Sequence, residues 1–249
     1  MALLLVLDTS TLNASVAVVE GDLAPEAPPL RVLGRAGRIV TTHSETLLEL
    51  VDEALRQAGV EGPRLQAIGC GAGPGSFTGL RIGLCTAKGL SYAWNKPLVM
   101  ASSLRAMALE AVVTKVSPDV SSEIVVAIVV EAKKGEIYAG FYTGGTARPL
   151  GAEVALPPHA FAAHARKLAP DGPWVVCGPG VMPYEAAMQG LGAASLVAKP
   201  LGPDAAYLGR LCLERLATHG PEDVARAVPF YARPSEAEAK LQALGNRER

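Results

Sequence analysis

A chain of 249 residues that is 49% hydrophobic and 19% charged has too much apolar side chain to remain disordered. It is long enough for one large domain or for two lobes of roughly 100 residues each. The net charge is −1, with basic and acidic residues mixed along the chain, so it shows none of the basic stripe by which an autonomous nucleic-acid binder neutralises phosphates.

The apolar run at residues 3–7 has no basic residues before it, is too short for a secretion signal and ends in Asp8. It reads as a buried strand. No other uninterrupted apolar run approaches the ~20 residues of a membrane span. Cys70, Cys85, Cys177 and Cys212 form no CxxC pair and stand in apolar surroundings. They are expected to be buried free thiols in a reducing compartment, which implies a cytoplasmic location.

In chain order, residues 3–7 and 14–20 read as strands joined by a polar turn at 9–13. The Gly21 to Leu30 stretch carries three prolines and little periodicity, a loop before a third strand near 31–35. Thr42 stands three residues before Glu45, as in a capping box, and residues 45–58 have helical spacing until Gly59. Residues 67–71 form a short apolar strand. Gly73-Pro74-Gly75 then turns the chain into a helix over 76–94, followed by a strand at 97–101 and a third helix from Ser102.

The second half repeats the order. Residues 124–130 are a continuous apolar run and 136–142 alternate as its hairpin partner. A helix at 158–168, a strand at 174–177 and a helix at 204–218 follow, and the charged tail from Pro234 is expected to be mobile. This order predicts an α/β protein with two mixed sheets, each flanked by helices, built as a duplicated lobe. The expected division is residues 1–106, 107–203, a helix and strand at 204–233 that pack back on the lobes, and the tail at 234–249.

The most informative segment is Gly71-Ala-Gly-Pro-Gly-Ser-Phe-Thr-Gly-Leu-Arg-Ile-Gly83. A strand runs into glycines that permit a tight turn, and a helix N-terminus with unpaired amides follows. Such a turn either holds an anion or only redirects the chain, and the pattern alone leaves both open. It is neither a Walker loop nor a dinucleotide fingerprint, since the Lys-Ser/Thr ending and the GxGxxG spacing are absent. No serine or cysteine has a recognisable base partner, so hydrolase chemistry finds no support.

That segment, with Val6-Leu7-Asp8-Thr9-Ser10, His43-Ser44-Glu45-Thr46-Leu47-Leu48, Thr86-Ala-Lys-Gly-Leu-Ser-Tyr92, Lys133-Lys-Gly-Glu-Ile-Tyr138 and Pro229-Phe-Tyr-Ala-Arg233, resembles the TsaB (YeaZ) family over roughly residues 3 to 233. The resemblance implies the two-lobed actin/sugar-kinase-like (ASKHA) fold. It also implies a part, beside TsaD, TsaE and TsaC, in making threonylcarbamoyladenosine next to the tRNA anticodon. The catalytic relative TsaD carries two metal-binding histidines four apart on one helix face. Ser103 and Met107 stand at those places here, and neither suits a divalent ion. His159 and His164, five apart, lie about 140° around a helix, and His43 and His219 are distant in sequence. The resemblance therefore implies a non-catalytic subunit without a metal.

In that superfamily the first hairpin turn and its second-lobe counterpart clamp phosphates. Here Asp8, Thr9 and Ser10, with Gly73, Gly75 and Ser76, are the candidates. Glu131-Ala132-Lys133 replaces the usual Asp-Ala-Arg, and Gly178-Pro179-Gly180 either approaches an adenine or turns the chain.

On the first helix Leu47, Leu48, Leu50, Val51, Ala54, Leu55 and Ala58 cover an arc of about 160°, wider than the ~100° stripe of an ordinary surface helix. On the second, Gly79, Gly83 and Ala87 form a small-residue seam, with Arg81 and Lys88 on a separate face. Either the lobe's own core consumes both surfaces or a second protein covers part of them. The family's use of these helices implies the latter, with His43, Glu45, Leu48, Val51, Leu55, Gly79, Gly83 and Ala87 as partner contacts. It implies a heterodimer with TsaD, TsaE in the larger complex and a homodimer when alone. It also implies ATP or ADP at most at the joint with TsaD, and no intrinsic cofactor. The alternative is an active small-molecule kinase or ATPase on the same fold. Ser103 and Met107 argue against a metalloprotease.

Overall fold

The computed structural model describes residues 1–249 apart from 24–29, 41–42, 116, 118–119, 133–134, 171, 193–194, 199–201 and 234–249. Thr42 of the expected capping box, the middle of the proline loop and the charged tail lie outside the described residues.

The first sheet grows around β1 (Ala2–Asp8). β2 (Asn13–Gly21) returns antiparallel to it, with Leu4 opposite Val19 and Asp8 opposite Ser15. β3 (Arg31–Ile39) extends the hairpin, while β4 (Ala67–Gly71) and β5 (Leu98–Ala101) add in parallel on the other side of β1. β1 reads as an unbroken apolar run because both faces of its sheet are covered. Leu5 and Leu7 pack beneath α1 (His43–Ala58) and α2 (Phe77–Trp94). Leu4 and Val6 pack on the opposite face with Leu208, Leu211 and Cys212 of the last helix.

The second sheet repeats the scheme. β6 (Val125–Glu131) pairs antiparallel with β7 (Ile137–Thr143), which pairs with β8 (Val154–Leu156). β9 (Trp174–Gly178) and β10 (Ser195–Ala198) add in parallel beyond β6. The orders β3-β2-β1-β4-β5 and β10-β9-β6-β7-β8 are one topology used twice, a hairpin with a third antiparallel strand on one side and two parallel strands on the other. The expectation of two lobes, each a mixed sheet flanked by helices, is thereby met.

α3 (Ser103–Val113) sits between the sheets: Ala106 packs with the first, and Leu104, Met107 and Ala108 pack on Ile128 and Val130 of the second. α4 (Phe161–Leu168) and α5 (Glu185–Gln189) cover the outer face of the second sheet, where Phe141 lies 5.6 Å from Phe161 and 6.0 Å from Trp174 between ring centroids. α6 (Ala205–His219) closes the far face of the first sheet. Polar caps start three helices: Ser76, Ser102 and Asp204 accept from the backbone N–H of Gly79, Arg105 and Ala206 at 3.2, 2.9 and 2.9 Å.

β3 runs on to Ile39, beyond the expected end near residue 35, because its register with β2 continues to Asn13. β8, α5 and β10 were not foreseen. The segment 158–160 is a tight 3₁₀ turn, so α4 is shorter than expected.

Candidate functional site

β1 ends at Asp8, β4 at Gly71 and β5 at Ala101, so three neighbouring strands present their carboxyl ends together. In open α/β sheets this is the edge at which ligands dock. Asp8 is 0% exposed. Its Oδ1 accepts from the Ser10 N–H at 2.8 Å and the Ser10 hydroxyl at 2.6 Å, and its Oδ2 accepts from the Ser103 hydroxyl at 2.6 Å. The Ser103 hydroxyl also accepts from the Gly73 N–H at 3.2 Å, while the Ser103 N–H donates to the Gly73 carbonyl at 2.9 Å. Thr9 donates to the Gly79 carbonyl at 2.7 Å, and the Ser76 N–H to the Ser10 carbonyl at 2.7 Å.

Glycine permits this closeness. A Cβ on Gly71 would sit 2.0 Å from Asp8 Oδ2, and one on Gly75 would sit 2.2 Å from the Ser10 carbonyl oxygen. The structure thus brings Asp8, Thr9, Ser10, Gly73, Gly75 and Ser76 together, but as a closed knot. The amides of Ser10, Gly73 and Ser76 and both Asp8 oxygens are already bonded within the knot.

Ser103 and Met107 stand at the places where the resemblance sets the metal-binding histidines of TsaD. Ser103 is buried and spends its hydroxyl on Asp8 and Gly73. Met107 is buried among Ile128, Val130 and Tyr142. Among the described residues no three His, Cys, Asp or Glu side chains come together as a metal site.

The expected docking residues divide. The seam of Gly79, Gly83 and Ala87 faces inward, which corrects its assignment to a partner surface. A Cβ on Gly79 would lie 2.1 Å from the Thr9 carbonyl oxygen, and one on Gly83 would lie 2.2 Å from Thr9 Oγ1. Ala87 is buried in the core beneath, as is Val51 of α1. The small residues admit the chain's own β1–β2 turn. A helix pattern reveals a notch but not what fills it.

Glu45 stays exposed, Leu48 is 59% exposed and Leu55 is half-buried. The side chain of His43 lies outside the described residues. On α2 the outward line is Arg81, Cys85, Gly89 and Tyr92, the last 89% exposed. Cys85 therefore departs from the expectation of four buried thiols, whereas Cys70, Cys177 and Cys212 meet it.

Behind the knot lies a cleft of about 520 Å³ lined by Ser102, Arg105, Glu153, Glu214, His219 and Phe230 among others. Arg105 of α3 gives one guanidinium nitrogen to both oxygens of Glu214 at 3.1 Å and its Nε to the Ala147 carbonyl at 3.0 Å. Glu153 accepts from Ser102 and from the Tyr142 hydroxyl, the latter at 2.6 Å. Burial pushes the Glu153 carboxyl above its ordinary range, against the two hydroxyl bonds and the nearby Arg105 charge. Burial, and then the Glu153 charge, raises the Tyr142 phenol. These groups tie the first lobe to the second at the start of α3.

Residues 38–240 match the family model described as TsaD: tRNA N6-adenosine threonylcarbamoyltransferase. YeaZ from Pseudomonas aeruginosa superposes with a TM-score of 0.73 at 28% identity, over 92% of this chain and 100% of that one. The Escherichia coli tRNA threonylcarbamoyladenosine biosynthesis protein TsaB is 28% identical over 202 residues, 80% of this chain and 84% of that protein. The chain belongs to the TsaB (YeaZ) family. The Haemophilus influenzae protein of the same name is 35% identical over 135 residues, 54% of this chain, and the chain spans only 51% of its length.

Within this TsaB-family chain, sequence reasoning missed Ser102, Tyr142, Glu153 and Glu214. Their partners lie 11 to 109 residues away, and no local spacing announces them. The outward line on α2 was legible. It has the same helical period as the seam, read on the opposite side of the helix.

Proposed function

We propose that this chain serves in the biosynthesis of threonylcarbamoyladenosine on tRNA, and that it does so by docking on a TsaD transferase rather than by catalysis. The names of its relatives support the process, and the family model shared with the transferase supports the pairing. The observation that carries the non-catalytic reading is the closed knot: Ser103 and Ser10 hold the Asp8 carboxylate, and Met107 is committed to the core.

The docking face in this reading is the outward side of the two N-terminal helices, Glu45, Leu48 and Leu55 of α1 with Cys85, Gly89 and Tyr92 of α2. Three exposed or half-exposed apolar side chains beside a glycine suit a partner helix, and the same face serves a homodimer when TsaD is absent. Total burial of ~1,200–2,000 Å² is ordinary for such an interface. TsaE joins the larger assembly. ATP or ADP, where present, lies at the joint with TsaD, and the chain carries no intrinsic cofactor. A cytoplasmic location belongs to the same reading. Among the described residues no helix is long and apolar enough to cross a membrane.

The test mixes the purified chain with the transferase on a sizing column with light scattering, and assays ATP consumption by each alone. The expected result is a stoichiometric complex, lost in Leu48→Arg, with negligible turnover by the isolated chain. Absence of the complex overturns the docking reading. Rapid ATP consumption by the isolated chain instead favours an active kinase or ATPase.

A further inference from the structure

After α6 the chain crosses from one lobe to the other. The Glu222 N–H bonds the Leu98 carbonyl at 2.8 Å, and the Phe230 N–H bonds the Ala72 carbonyl at 2.8 Å, both in the first lobe. The next residue, Tyr231, reaches α2: its ring lies 5.1 Å from that of Phe77, and its hydroxyl accepts from Arg81 Nε at 3.1 Å. The Arg81 guanidinium stands 3.8 Å over the Phe77 ring, within cation–π range. Two residues on, Arg233 forms an ion pair with Glu136 of the second lobe at 2.9 Å. The Arg233 charge also reaches Tyr138, where it opposes the upward push that burial gives the phenol.

We propose that residues 229–233 are a short interlobe strap that couples the outward face of α2 to the β6–β7 hairpin of the second lobe, so that docking on α2 and the seating of that lobe are linked. The link rests on the docking reading above, but the strap itself stands on its anchors. Two residues of extended chain span at most ~7 Å, so Tyr231 and Arg233 hold their partners on the two lobes from one short piece of chain. A displacement of the hairpin by several ångströms strains Arg233–Glu136 and, through the short chain between them, the seating of Tyr231 on Arg81 and Phe77. Conversely, a partner carboxylate that engages Arg81, which is exposed, draws the guanidinium away from Tyr231 and loosens the second anchor. The remaining lobe-to-lobe bonds named above, Ser102 to Glu153 and Arg105 to the Ala147 carbonyl, gather at the start of α3. The strap is a separate tie.

The experiment compares wild type, Arg233→Ala, Glu136→Gln and the exchanged pair Arg233→Glu with Glu136→Arg. Hydrogen exchange on the isolated chain reads peptides covering residues 77–81 and those covering Glu136. Each single variant is expected to speed exchange in both peptides, and the exchanged pair to restore it. Affinity for the transferase is then expected to shift by ~2- to 5-fold in each single variant, the size of a partly exposed ion pair, and to return in the exchanged pair. Faster exchange confined to the hairpin, or no change at all, overturns the strap. If wild type forms no complex, the docking reading fails while the exchange result still judges the strap.

Discussion

The Ser103 hydroxyl donates to Asp8 Oδ2 across 2.6 Å, and this bond joins the first turn of α3 to the end of β1. The serine gives the carboxylate a buried donor. The same hydroxyl accepts from the Gly73 N–H at 3.2 Å, so one side chain ties the carboxylate to the glycine turn.

Ser103→Ala tests the strength of that tie. It removes a donor from a buried carboxylate and an acceptor from the Gly73 N–H. A charged group deprived of one bond costs ~1.5–3 kcal/mol. In a chain of this size ~2 kcal/mol lowers the Tm by ~4–8 °C. A thermal melt by circular dichroism reads it, and an unchanged Tm would show that Asp8 does not depend on Ser103.

Two glycines of α2 separate packing from docking. Gly83→Ala drives a Cβ to 2.2 Å from Thr9 Oγ1, a group already bonded to the Gly79 carbonyl. Such overpacking costs ~1–3 kcal/mol, so the melt should fall. Gly89 has nothing within 4 Å of the position a Cβ would take. Gly89→Ala should therefore raise stability by ~1 kcal/mol through helix propensity. Gly89→Trp should keep the melt near that of wild type and weaken complex formation. A normal complex in the tryptophan variant would count against the α2 face.

The hairpin that opens each lobe, and most of the strands and helices that follow it, were readable because burial on both faces leaves unbroken apolar runs such as residues 3–7 and 124–130. β8 and β10 escaped because each is a short edge strand whose pairing with β7 or β9, not its own alternation, makes it a strand. At the site, the residues that gather at the turn were legible from Asp8 and the glycine run. Their chemistry was not. The bond that Asp8 makes to Ser103 spans 95 residues, and no local spacing announces it. The inward seam failed for a related reason. Four-residue spacing of small residues marks a close approach, and the β1–β2 turn made that approach before any partner did.

Glu153 predicts a pH dependence. Its carboxyl is raised by burial from the ordinary 4.5, so the folded chain holds this proton to higher pH than the unfolded chain does. Stability from this group is therefore fully present below the ordinary value and is lost as pH rises through the folded value. Glu153→Gln keeps an oxygen to accept from Ser102 and Tyr142 but does not ionise. Its Tm should exceed that of wild type at neutral pH, and the gap should close as the pH falls toward 4.5. A gap that stays constant with pH would show that ionisation at Glu153 has no cost in the fold.

Thiol reactivity offers a direct probe of the outward face of α2. The reactive species is the thiolate, and burial disfavours it. Burial and the Asp8 charge push the Cys70 thiol well up, burial pushes Cys212 up to about 12, and Cys177 is buried as well. Cys85 alone is exposed. Ellman's reagent at mildly alkaline pH should therefore label one of the four thiols rapidly in the folded chain and all four in denaturant. Cys85→Ser should abolish the fast phase without altering the melt. Because Cys85 lies on the line through Arg81 and Tyr92, bound transferase should slow its labelling in proportion to occupancy. Undiminished labelling of a saturated complex would place the partner elsewhere on the molecule.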